Sequence, residues 1–156
     1  MRLKRNNYSK LHKDELTDQF YIQNFLPKFE QILKENEDFL LSVHKSDKSI
    51  QISSYNPIAY EMNITPVMTE LIKTSNYKLV HSLPIVIQKD SPLIFRKYNE
   101  GDKLEKSELF SVYEPLPDKE EQFPQVMIVP LMGFMEDCHR IGYGGGFYDR
   151  TIQCLK

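Results

Sequence analysis

The sequence predicts an α/β fold in which a mostly parallel sheet is flanked by helices, and three observations carry that expectation. A helix start is written at Thr65 and Pro66, where a capping residue precedes a proline suited to the first turn, and Val67, Met68, Leu71 and Ile72 follow at helical spacing. The continuous apolar run at 126–129, bounded by Pro124 and Pro130, has the pattern of a strand covered on both faces. Between them, short apolar or alternating runs recur at strand length. A chain of 156 residues suits one domain with one core.

In chain order, residues 1–16 read as a weakly structured basic start. Thr17 can cap a helix whose apolar face is Tyr21, Phe25, Phe29, Ile32 and Leu33, with Pro27 expected to kink or restart it. Residues 39–43 and 50–55 are apolar or alternating runs separated by the turn-like 45–48, and the second should be a strand. After the helix at Thr65, Asn76 is a stop, 79–87 and 93–98 read as strands, and the proline- and charge-rich 114–121 reads as a surface loop. There is no internal repeat.

Composition excludes several function classes. Twenty Lys and Arg against 22 Asp and Glu give a net charge of -2, too little for a field that gathers nucleic acid or anionic lipid. The basic start is followed by Asn6, Asn7, Tyr8, Ser9 and Lys10, not by the apolar stretch of a signal peptide. The most apolar window, 126–135, contains Pro130 and Gly133 and falls short of the about 20 residues that span a bilayer. Cys138 and Cys154 fit reduced thiols in the cytosol. Cys138 beside His139 lacks zinc-site spacing, and His12, His44 and His81 read as surface or packing histidines.

Four of the six glycines fall at 140–150, beyond the apolar run and before a segment, 147–155, that can continue as a helix. Glycines let backbone amides approach a ligand and point at phosphate oxygens, aided by the positive end of the following helix. Arg140 adds a planar fork for phosphate, and Asp149 a hard oxygen for magnesium. A second reading is a glycine-rich surface turn with Arg140 and Asp149 in a structural ion pair. There is no P-loop lysine pattern, and a dinucleotide fingerprint would need glycine where Phe147 stands. Spacing alone gives an anion loop.

At Arg140, Ile141, Gly142, Tyr143, Gly144, Gly145, Gly146, Phe147, Tyr148 and Asp149 the chain resembles the 5-formyltetrahydrofolate cyclo-ligase family, whose hallmark loop reads R-[LI]-G-x-G-x-G-[YF]-Y-D. Upstream, residues 54–63, Leu83-Pro84, Phe95-Arg96, Tyr113-Glu-Pro115 and Ile128-Val-Pro130 extend the similarity, which is best over 50–150. The resemblance implies a fold similar to the ribose-5-phosphate isomerase-like and CoA-transferase-like proteins. It also implies an ATP- and magnesium-dependent closure of the folate ring, carried out by a cytoplasmic monomer that binds neither nucleic acid nor membrane. In the residues of this sequence, 140–148 would hold ATP, with Arg140 and Tyr148 at the reacting atoms and Asp149 on magnesium. Asn56, Glu61 and 143–147 would meet the folate, and Lys4, or next Arg5, would reach ATP from the N-terminus.

The chain departs from the family at two points before the loop, where the usual F-D-x-x-G-x-R becomes Phe134, Met135, Glu136, Asp137, Cys138, His139 and Arg140. Where glycine needs positive φ, Cys138 would cost on the order of 1 kcal/mol. The chain also stops at Lys156, where family members continue with a further strand, so one sheet edge is expected to be open. An inactive remnant or fragment that at most binds nucleotide or folate, and a plain interaction domain, are the other readings.

Overall fold

Apolar spacing builds the first layer. The computed structural model describes residues 18–44, 47–58, 61–110, 112–137 and 139–155. Helix α1 (Asp18–Glu35) is followed after Asn36 by α2 (Glu37–Val43), so the apolar run at 39–43 is helical. Pro27 lies inside α1 without ending it. The face that packs inward is Tyr21, Ile22, Leu26, Phe29 and Leu33, while Phe25 and Ile32 are exposed. The expected face is thus corrected by part of a turn, because positions 22, 26, 29 and 33 follow the helical repeat and carry the stripe toward the sheet. Thr17, offered as the cap, lies outside the described residues.

Helix α3 (Thr65–Thr74) forms where the proline and the apolar stripe foretold, but Thr65 is its first residue and not its cap. Ile64 occupies the cap position, and the Asn63 side-chain oxygen accepts the Thr65 N–H at 3.2 Å. Val67, Met68 and Leu71 are buried, whereas Ile72 is 40% exposed and leaves the stripe. Ser75, extended at ψ 142°, ends the helix one residue before Asn76.

The main sheet contains β1 (Ser49–Ser53), β2 (Lys78–Ile85), β3 (Ile94–Lys97), β6 (Glu121–Gln122) and β7 (Val126–Met127), in the order β6-β3-β2-β1-β7. Its centre is parallel: β1 lies between β2, with Ile52 opposite His81, and β7, with Ile52 opposite Val126. On the far side β3 and β6 run antiparallel. Ile50 and Ile52, alternating along β1, meet the helices, so the core sits between the sheet and α1 to α3.

Two expectations about loops and strands change. The stretch 114–121 is bracketed by strands: β5 (Tyr113–Pro115) pairs antiparallel with β4 (Leu104–Lys106), and Pro115 is buried. A two-stranded edge tolerates proline because one side of it makes no ladder bond. The run at 126–129 is partly exposed throughout, and only Val126 and Met127 form a strand. Among the described residues it ends the strand order beside β1, and its side chains are half-buried, not enclosed on both faces. Nor does it lead straight into the glycine loop, since a hairpin of β8 (Gly133–Phe134) and β9 (Arg140–Ile141) intervenes.

Helix α4 (Phe147–Leu155) is anchored by Thr151, whose hydroxyl donates to the Phe147 carbonyl at 2.7 Å and accepts the Leu93 N–H at 2.8 Å. Thr151 and Leu93 are both buried. Thr151→Val keeps the shape but strands that amide, and is expected to cost about 1–3 kcal/mol. Thermal melts should fall for valine and recover with serine; equal melts for valine and wild type would refute the anchor.

Candidate functional site

The glycine segment runs from β9 into α4 and forms one wall of a cleft of about 910 Å³. That volume suits a small-molecule ligand, for which about 300–1,000 Å³ is usual. Asn56 and Glu61 enter from the β1–α3 connection, Phe110 and Val112 from the β4–β5 connection, and Tyr113 from the start of β5. Twelve residues expected at the site therefore converge here: Asn56, Glu61, Arg140, Ile141, Gly142, Tyr143, Gly144, Gly145, Gly146, Phe147, Tyr148 and Asp149. Lys4 and Arg5 lie outside the described residues, as does Cys138; Met135 is exposed on the hairpin.

Arg140 is held on three sides. Its guanidinium donates to the Pro130 carbonyl at 3.0 Å and to Asp149 Oδ1 at 2.7 Å, and lies 5.7 Å from the Tyr148 ring centroid. The structural ion pair of the second reading is thus present, and it sits on the cleft wall. Gly142 gives this guanidinium its room, since a Cβ there would come within 2.6 Å of Nη1. Gly144 serves differently: its φ is +93° with open space around it, so it is backbone freedom that the position uses.

Burial pushes the Tyr148 phenol well above its ordinary range, helped by the negative charge of Glu61 and opposed by Arg140. The phenol therefore keeps its proton at neutral pH and has a donor to offer a ligand. Glu61 Oε2 accepts the Ile58 N–H at 2.9 Å, which fixes the turn, and the Asn56 amide donates to the Tyr113 carbonyl at 3.0 Å, tying two walls together. Phe110 meets Phe147 edge to face, ring centroids 5.4 Å apart.

Asp149 stands in the first turn of α4 with its carboxylate exposed. Among the described residues no three His, Cys, Asp or Glu side chains group into a metal cage. This donor set fits magnesium of the kind that keeps waters and shares phosphate oxygens, which needs only one or two carboxylates. The cleft residues not singled out from the sequence include Val86, Leu93, Phe110 and Val112, whereas Tyr55 and Ile58 fall in the 54–63 piece of the resemblance. Pro84, Tyr113 and Pro130 lie in the short pieces that carried the resemblance, and that order was the available signal.

Residues 29–156 match the model of the family described as "5-formyltetrahydrofolate cyclo-ligase family". The chain is 40% identical over 65 residues to the 5-formyltetrahydrofolate cyclo-ligase of Escherichia coli (strain K12), a stretch covering 39% of this chain and 35% of that protein. It is 28% identical over 104 residues to the protein of the same name from Mycoplasma pneumoniae, covering 67% and 52%. The chain thus spans about a third to a half of the length of these curated relatives. Among solved structures, Aquifex aeolicus 5,10-methenyltetrahydrofolate synthetase shares the fold with a TM-score of 0.52 and 24% identity, over 91% of this chain and 72% of that one. No helix among the described residues is long and apolar enough to cross a membrane.

Proposed function

Since the chain belongs to the 5-formyltetrahydrofolate cyclo-ligase family, we propose that it closes 5-formyltetrahydrofolate to 5,10-methenyltetrahydrofolate, with ATP and magnesium, releasing ADP and phosphate. The observation that carries this reading is the placement of 140–149 along one wall of a cleft whose opposite walls bring Glu61, Asn56 and aromatic side chains. The same reading has it act on soluble small molecules in the cytoplasm, as a monomer.

A formamide oxygen is a poor leaving group. In the proposed sequence it first attacks the γ-phosphorus of ATP and ADP departs; the neighbouring folate nitrogen then attacks the activated carbon. The carbon–oxygen bond breaks, phosphate leaves, and the proton of that nitrogen passes to solvent. Phosphoryl transfer of this kind depends on positioning and on stabilising charge, so no protein nucleophile is required. Arg140 and the amides of 142–146 would receive the phosphates, and the Tyr148 phenol would donate to an oxygen at the reacting end. Asp149 would hold magnesium, which neutralises phosphate charge when bound. Glu61 suits the guanidine-like edge of a pterin because a carboxylate accepts two N–H bonds side by side. Lys4 is proposed as a further ATP contact.

The test is absorbance of the methenyl product appearing with 5-formyltetrahydrofolate, ATP and magnesium together, and not when any one is left out. Binding of both ligands without turnover would reduce the reading to a binding domain. No binding of either would overturn it.

A further inference from the structure

Beyond Arg140 of β9, helix α4 carries its own arginine one residue after Asp149. Arg150 donates from Nη2 to the Gly145 carbonyl at 2.7 Å and from Nε to the Ser91 carbonyl, on the β2–β3 connection, at 3.3 Å. Its guanidinium carbon lies 5.1 Å from the Phe147 ring centroid. The loop is shaped to admit it: a Cβ at Gly146 would stand 2.6 Å from Arg150 Nη1, and Gly146 has a φ of +65°. Gly145, Gly146 and Phe147 line the cleft. The Gly145–Gly146 peptide is trans, so its carbonyl and the Gly146 N–H point in opposite directions. A carbonyl drawn to Arg150 therefore turns the Gly146 amide away from that guanidinium.

We propose that Arg150 is a positioning residue of the anion loop, holding the Gly145–Gly146 peptide so that the Gly146 N–H is presented to the cleft and bracing the loop against the β2–β3 connection through Ser91. This rests on the nucleotide-loop reading for its ligand, but the moulding of the peptide does not depend on which anion is bound. Arg140 and Arg150 thus brace the loop from its two ends, each fitted into space that a glycine leaves.

The experiment uses the full chain with Arg150→Met, which keeps the stem length, Arg150→Lys and Gly146→Ala, alone and combined. Amide hydrogen exchange without ligand is the first readout. Arg150→Met should speed exchange at the amide of residue 150, which donates to the Gly146 carbonyl of the loop at 3.0 Å, by tenfold or more while the amides of β1 and β2 keep their rates, and Arg150→Lys should recover part of the protection. Gly146→Ala should be harmful in wild type and less so beside Arg150→Met, because the clash with the guanidinium is then gone. The second readout is titration with magnesium-ATP and, separately, with 5-formyltetrahydrofolate: Arg150→Met should weaken the first about tenfold and the second less than threefold. Unchanged exchange at that amide overturns the proposal, as does equal weakening for both ligands. A wild type that binds no ATP overturns the nucleotide reading instead, and the exchange data and the Gly146 cycle then decide the role of Arg150.

Discussion

Replacing Arg140 with alanine is expected to weaken ATP binding tenfold or more while changing 5-formyltetrahydrofolate binding far less. The Arg140 side chain is 18% exposed on the cleft wall, so its charge acts where water screens it poorly. A charge-assisted hydrogen bond is worth about 1.5–3 kcal/mol, which corresponds to tenfold or more in affinity. The competing explanation is that alanine acts only by releasing Asp149, its 2.7 Å partner. Asp149→Asn separates the two. Measured without magnesium, it removes a negative charge beside the phosphate loop, so ATP should bind as well as before or better. If both substitutions weaken ATP equally under those conditions, the ion pair alone is responsible and the phosphate assignment falls.

A large effect on stability is expected from pH through His81, outside the cleft. Its side chain is buried, its Nε2 is hydrogen bonded to the Ser54 hydroxyl at 2.8 Å, and Tyr98 packs edge-on against the ring at 5.7 Å. Burial holds the imidazole down at about 4, against an ordinary 6.5. As pH falls below 6.5 the unfolded chain takes up this proton before the folded one does, so stability is full above that value and declines until about 4. The loss should approach about 3 kcal/mol. Urea unfolding between pH 7 and pH 4 should show this slope, and His81→Gln, which cannot titrate, should flatten it relative to wild type. An identical slope in both proteins would assign the acid sensitivity to other groups.

What the sequence disclosed and what it hid follow physical lines. Helix α3 was legible because Pro66 and the buried Val67, Met68 and Leu71 act locally, and the loop because glycines between an arginine and an aspartate are chemically specific. The Val126 strand was misread because an apolar run does not reveal how fully its faces are covered; here residues 126–129 are all half-buried and only Val126 and Met127 pair. The hairpin that ends on Arg140 and Ile141 was hidden because its strands are too short for period-two alternation to register. Phe110 and Val112 reach the cleft through tertiary packing, such as the 5.4 Å edge-on contact with Phe147, which no periodicity encodes.

The glycines of the loop differ in what each could become. Gly144 has room for a side chain and lacks only a residue at ease with its φ of +93°. A randomised library at this codon should therefore return asparagine and aspartate as viable replacements, and a chemically made chain with D-alanine there should fold at least as well as the natural one. Gly142 differs, because a side chain there would displace the Arg140 guanidinium from its place beside Pro130 and Asp149. The loop should thus accept variation at its crest and refuse it at its foot, a pattern that a single round of selection would make visible.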